Sequence, residues 1–305
     1  MSCNSARLSI TIESMNSNID KILTRLRDMA FGRPRIKLID ERRVAEHDVE
    51  PIFIIGTFRS GTTLLRYILD SHSAICCPPE SKFLEPLASL YTAESCMRAL
   101  RYMGYDEGFV KRKVRELTDA FFLTYMLAHN KKRWADKTPE YVRVLDFIEW
   151  LYGPRCKYVL IYRNGLDTAD SMNQTYIEKL DDQKNLTKTF EYWFQDTQIM
   201  ARWERKYPAR CYALKYEDLC TRTRPILKAL FDFLGEDWEE GVLYWYRKGH
   251  DRGDEDIKAR RQRDIHLSFG NYTHWPQELQ ERLKKKAASV HKMIGYDPET
   301  LMPVR

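Results

Sequence analysis

A chain of 305 residues, 43% hydrophobic and 31% charged, is long enough for one large α/β core and too apolar for intrinsic disorder. Its 50 Lys and Arg against 44 Asp and Glu leave a formal charge of +6, which favours an anionic ligand; without zinc-finger spacing or a helix-turn-helix pattern, nucleic acid is set aside as a partner. No run approaches about 18 uninterrupted apolar residues, no basic segment leads into an apolar one near Met1, and the seven cysteines form no C-x-x-C, so neither a membrane association nor a signal peptide is expected and a reduced, cytoplasmic protein is.

In chain order, Ile12, Met15, Ile19, Ile22, Leu23, Leu26 and Met29 recur at helical spacing and predict an amphipathic helix, stopped by Gly32 and Pro34. The charge-rich stretch to Glu50 reads as a linker, dividing the chain into residues 1–50 and a main domain over 51–305. Pro51 to Ile55 predicts a buried strand, as do Arg133 to Asp136, Lys157 to Tyr162 and Arg210 to Leu214, each followed by a helical pattern or a helix start. Such alternation predicts an α/β fold with a P-loop-like parallel sheet flanked by helices. Residues 81–130 lack strand signals and read as a helical insertion over the active site; Thr138 and Pro139 predict the N-cap and first position of a helix toward Tyr152, and long helices follow over 186–207 and 276–294.

Between the first strand and a helix carrying Leu64, Leu65, Ile68 and Leu69 lies Gly56-Thr57-Phe58-Arg59-Ser60-Gly61-Thr62-Thr63. Strand, glycine-bounded loop and helix N-terminus aim free backbone N–H groups at an anion. A Walker A loop would continue with lysine after the second glycine; here Thr62 follows, and Arg59 inside the loop supplies the charge. After the strand ending at Tyr162 comes Arg163, with Ser171 eight residues on, a pair suited to a further phosphate.

These two motifs, in this order, resemble the PAPS-dependent sulfotransferases, whose 5′-phosphosulfate loop R/K-S-G-T/S-T/S-L matches Arg59, Ser60, Gly61, Thr62, Thr63 and Leu64, and whose 3′-phosphate motif R-x-x-x-D-x-x-x-S matches Arg163 to Ser171. Lys215-Tyr216-Glu217-Asp218-Leu219 is similar to the family's Y-E-D-L segment, which implies Tyr216 near the adenine. The order Arg59 to Arg66, Leu69-Asp70-Ser71-His72 and Cys77-Pro78-Pro79-Glu80 is similar to the tyrosylprotein-sulfotransferase-like branch, as is Ile294 to Pro298. That likeness implies Glu80 as the catalytic base and Lys137, in Ala135-Asp136-Lys137-Thr138-Pro139, as the catalytic lysine beside Arg59. It also implies PAPS as donor and PAP as product. Phe58 departs from the proline usual before the loop arginine, and the C-terminal nucleotide contacts fall either to Arg247-Lys248-Gly249 or to Lys258-Ala259-Arg260-Arg261.

Each assignment has a plainer counterpart. Glu80 as a helix-start carboxylate, Lys137 as a solvated lysine and the glycine loop as an ordinary turn are the alternatives, whereas Asp167 and His72 read as structural. The histidines show no metal-ligand spacing, so no metal is expected, and the aromatics from Tyr192 to Trp203 read as core. The expected reaction is sulfuryl transfer to a hydroxyl or amine of a small-molecule natural product or toxin, with a homodimer compatible. Protein-tyrosine sulfation, a P-loop phosphotransferase and a non-catalytic nucleotide-binding protein are the competing readings. Asp251, Asp254, Glu255 and Asp256 form an acidic cluster that would steer a cationic acceptor.

Overall fold

The computed structural model describes residues 49–176, 182–253 and 263–304. The expected helix over residues 12–29, the linker up to residue 48, the acids at 254–256 and the basic run at 258–261 lie outside the described residues.

Five parallel strands form one sheet in the order β2-β3-β1-β4-β5: β1 (Ile52–Gly56), β2 (Ile75–Cys76), β3 (Arg133–Lys137), β4 (Lys157–Tyr162) and β5 (Cys211–Lys215). β1 sits at the centre, with Ile54 in register with Lys137 of β3 and Val159 of β4. Because side chains alternate across a strand, Ile52 and Ile54 enter one core cluster and Phe53 and Ile55 the other. The first face is covered by α1 (Thr62–Asp70) and by α9 (Thr223–Leu234), which follows the short α8 (Tyr216–Thr221). The opposite face takes α4 (Glu107–Ala128), α5 (Leu145–Tyr152), α6 (Gly165–Tyr176), α7 (Asp182–Lys206) and α10 (Gln277–Met293). Two short helices, α2 (Leu84–Thr92) and α3 (Glu94–Tyr102), precede α4 and complete the helical segment expected over 81–130. Trp193 and Trp203 are buried in the core as expected, while Tyr192 is 40% exposed.

Two expectations need correction. Strand β2 has no counterpart among the strands predicted from sequence, because a two-residue apolar pair at a sheet edge has no alternation to detect. Thr138 makes no side-chain cap, and the chain continues from it as a 3₁₀ segment, Pro139–Val144, before α5 begins. The Thr138 hydroxyl is committed elsewhere: it accepts from the Ser81 N–H (3.1 Å) and lies 3.4 Å from Asp136 Oδ1.

The parallel direction puts the C-terminal ends of all five strands on one edge. Outward from the centre, the chain leaves β1 toward β3 and β2 but leaves β4 toward β5, so the order reverses between β1 and β4. A crevice at such a reversal is where open α/β sheets bind ligands.

Candidate active site

The β1–α1 loop is a backbone cradle. Arg59 has φ +68° and Gly61 φ +98°, two left-handed residues separated by one, which turn successive N–H groups inward. Holding arginine there costs about 1–3 kcal/mol of strain, a feature that collects at ligand loops. Gly61 has no alternative: a Cβ would also lie 2.6 Å from the Tyr216 ring. Ser60 is buried and its hydroxyl closes the turn on the Thr57 carbonyl (2.8 Å). Thr62 and Thr63 open α1, and Leu64, 4% exposed, packs its side chain into the core, which leaves only its main chain to face the loop.

The second motif meets this loop directly. Arg59 Nε donates to Ser171 Oγ at 2.9 Å, and Arg163 Nη1 donates to the Arg59 carbonyl at 2.9 Å. Arg163 and Ser171, expected to converge on one phosphate, are thus joined through Arg59. The Arg163 guanidinium lies over the Tyr216 ring at 4.4 Å, its Nη2 donates to the Ser268 carbonyl, and Trp193 Nε1 donates to the Arg163 carbonyl. The Arg163 Nε is buried with no hydrogen-bond partner. An orphaned guanidinium N–H beside an anion cradle fits a phosphate oxygen, so the residues present fit a phosphorylated ligand.

Several supports of this half were not assigned from sequence. Asp167 does anchor structure, as expected: its carboxylate accepts from the Gly270 and Asn271 N–H groups and so holds the 268–271 loop against Arg163. Glu217, wholly buried, accepts from Asn164 and from the Tyr296 hydroxyl, tying the Y-E-D-L segment to the C-terminal Gly-Tyr-Asp-Pro tail. Burial raises the Glu217 carboxyl, and the Tyr296 and Asn164 hydrogen bonds oppose that rise. The available signal was an acid beside apolar Leu214, Tyr216 and Leu219, where only a paired carboxylate survives. The Ser268 N–H donates to the Tyr216 hydroxyl, so this segment packs against Tyr216 as well as Arg163. Lys248 donates to the Ser71 carbonyl at the far end of α1.

The other half lies toward β3. Lys137, fully buried at the end of β3, is ion-paired with Glu80 and lies 3.5 Å from Thr63 Oγ1 of the cradle. The solvated-lysine alternative therefore fails. So does the helix-start alternative for Glu80, because α2 begins only at Leu84 and Glu85 occupies its first turn. Lys82 reaches Glu80 at 3.6 Å from the solvent side. Beneath the pair, Asp136 is 0% exposed and accepts from the Ser81 hydroxyl (2.8 Å), which also meets Tyr141. Burial pushes the Asp136 carboxyl up to about 7, although the Ser81 hydrogen bond and the Lys137 charge hold it down.

His72 is structural. It stacks on Phe231 at 4.8 Å and its Nε2 meets the Asp237 carbonyl. Asp251, read as part of an acidic steering cluster, has its carboxylate committed to the Tyr125 hydroxyl and His129. Among the described residues no group of His, Cys, Asp and Glu is arranged to hold a metal ion, and no helix is long and apolar enough to cross a membrane.

A parallel sheet with a glycine-bounded anion loop at its reversal point, two arginines on that loop's rim and a buried lysine–glutamate pair beside it define a P-loop-like group transferase. The chain matches the sulfotransferase family over residues 51–240, more than half its length, and belongs to that family. Among curated relatives, protein-tyrosine sulfotransferase A of Caenorhabditis elegans is 23% identical over 261 residues, covering 83% of this chain and 68% of the relative. Of solved structures, the sulfotransferase domain of the Synechococcus olefin synthase superposes with a TM-score of 0.58 at 22% identity, covering 83% of this chain and 98% of that domain. A mouse sulfotransferase complexed with PAP superposes with a TM-score of 0.52 at 15% identity, covering 82% of this chain and 88% of that one. The chain spans only 27% and 33% of the length of two further curated relatives.

Proposed function

We propose that this protein transfers a sulfuryl group from PAPS to a hydroxyl or amine of a small molecule, with Glu80 as general base. One observation carries the reading: buried Lys137 touches both the Glu80 carboxylate and the anion loop at Thr63, so a single cation spans the proton acceptor and the phosphate cradle. PAPS supplies the sulfuryl group, whose bond to the 5′-phosphate oxygen breaks as the acceptor oxygen or nitrogen bonds to sulfur, releasing PAP.

The residues contribute position and charge. Arg59, Ser60, Gly61, Thr62 and Thr63 hold the 5′-phosphosulfate on backbone N–H groups and the helix terminus. Arg163, Ser171 and Tyr216 hold the 3′-phosphate and adenine. Lys137 and Arg59 neutralise the charge that grows on the leaving phosphate, where fixed charges in a dry site act most strongly. Glu80 takes the acceptor's proton, and its side chain, 11% exposed, leaves little water to compete. The olefin-synthase and curacin-pathway neighbours support a small acceptor from a natural-product route. Protein-tyrosine sulfation is the second reading, favoured by the span of the tyrosine-sulfating relatives.

Incubation with donor labelled at sulfur and a panel of small alcohols, phenols, amines and tyrosyl peptides tests this. Label on a small acceptor is the expected result. Label on peptides alone replaces the acceptor assignment, and tight PAP binding without transfer to any acceptor points to a non-catalytic nucleotide-binding protein.

A further inference from the structure

We propose that Arg66 and Asp70, one turn apart on α1, are positioning residues that set Glu80 against Lys137; the proposal rests on Glu80 being the base. Arg66 is among the largest fully buried side chains, and it donates to main-chain carbonyls: Nε to Cys77 (3.1 Å) and Pro78 (2.8 Å), Nη2 to Asp251 (2.7 Å). Asp70 takes the other polar group of Cys77, accepting its N–H on Oδ1 at 2.8 Å, while Oδ2 meets the His250 ring. Both side chains therefore grip two segments at once, Cys77–Pro78 and the strap over residues 250–251.

The chemistry of the grip is costly unless it serves geometry. A guanidinium taken out of water loses several kcal/mol of hydration, and an apolar side chain of similar volume would fill the same space without that loss. What the guanidinium adds is a planar fork that fixes several carbonyl oxygens relative to one helix. That helix begins in the anion cradle, four residues before Arg66 at Thr62. From the gripped Cys77 to Glu80 the chain runs through Pro78 and Pro79, whose rings fix φ, so little torsional freedom separates the grip from the base.

Two further contacts close the arrangement. Beyond Glu80, Ser81 is fixed by Thr138 and Asp136, so the glutamate is held from both sides. The strap lies on the same segment: a Cβ at Gly253 would come within 2.8 Å of the Pro79 Cβ. The strap is in turn fixed to α4, where the Asp251 carboxylate accepts from the Tyr125 hydroxyl (2.9 Å) and meets His129 Nε2 (3.1 Å). His250 Nε2 faces the Trp245 carbonyl at 2.8 Å while its other nitrogen faces Asp70, and the ring stacks on Tyr67. Donor loop, base and strap thus share one helix as their reference frame.

A double-mutant cycle tests the proposal, with turnover and PAP affinity measured in wild type, Glu80→Gln, Arg66→Lys and Arg66→Lys/Glu80→Gln. Lysine keeps the charge but presents one nitrogen in place of a fork. Arg66→Lys is expected to lower kcat by at least about tenfold while PAP affinity changes by less than about twofold, and to cost nothing further in the Glu80→Gln background. Should Arg66→Lys not fold, Asp70→Asn carries the same cycle, since its amide oxygen still accepts the Cys77 N–H while its interaction with His250 weakens; a loss of about threefold is expected there, again absent without Glu80. An equal loss with and without Glu80, or wild-type kcat in the gripping variant, overturns the positioning role. Near wild-type turnover in Glu80→Gln alone overturns the base assignment first, and is recognised before α1 is touched.

Discussion

The two halves of the site are built from opposite materials. On the proposed nucleotide side, charge is spread over a backbone cradle and two arginines, and each piece is backed by a neighbour: Arg163 by Trp193 and Ser268, Asn164 by Glu217, Glu217 by Tyr296, and the 268–271 loop by Asp167. Toward β3, the proposed chemistry rests on one ion pair, Lys137–Glu80, over a buried carboxyl, Asp136. A distributed anion site loses affinity by increments when one member is removed, whereas under the proposed mechanism a single base and its lysine have no substitute. Redundancy in binding and singularity in chemistry should therefore separate under mutation.

The largest separation is expected at Glu80. Glu80→Gln should lower kcat by about 10²–10⁴-fold, the usual worth of a general base, with PAP affinity by calorimetry close to wild type. Lys137→Ala, which touches both halves, should cut kcat by about 10²–10³-fold, the scale of one preorganised transition-state charge, and should weaken PAP far less. Arg163→Ala should act on the other half alone: the preference for PAP over the nucleotide lacking the 3′-phosphate should fall about ten- to a hundredfold, as expected for loss of about 1.5–3 kcal/mol in charge-assisted hydrogen bonds. Equal binding of both nucleotides by the wild type would make the second motif structural.

The smallest effects sharpen the contrast through pH, because the halves carry opposite signs. Asp136 is raised from 3.8 to about 7 by burial, so between these values the native state binds a proton that the unfolded chain has released. Stability from this group is full below the unfolded value and is lost as pH rises from about 4 to about 7; Asp136→Asn should flatten that slope in denaturant titrations. On the nucleotide side, His291 accepts from the Gly165 N–H at the start of α6, and burial lowers it from 6.5 to about 4. Its contribution is present above the unfolded value and is lost as pH falls from about 6.5 to about 4, so His291→Gln should lessen acid sensitivity there. Identical pH slopes in both variants would remove the distinction.

Much of this molecule was determined by its sequence alone. Four of the five strands, the helical segment before β3 and the cradle's place after β1 were readable because continuous apolar runs such as Ile52 to Ile55 and Val159 to Tyr162, followed by helix-start signals, are what buried parallel strands require. The family motifs marked Arg59, Arg163, Ser171, Glu80 and Lys137 through spacing, which is a one-dimensional property. Three-dimensional matters were decided by the tertiary structure. Only the parallel order of β3, β1 and β4 brings Lys137, the cradle and Arg163 to one edge, although about a hundred residues separate Arg59 from Arg163. Burial, not residue type, pushes Asp136 up and turns Arg66 from an ordinary helix arginine into a fork on three carbonyls. A hydrogen bond to a main-chain carbonyl leaves no mark on the partner's side chain, so contacts such as these have no signature in sequence and arise only when the chain is folded.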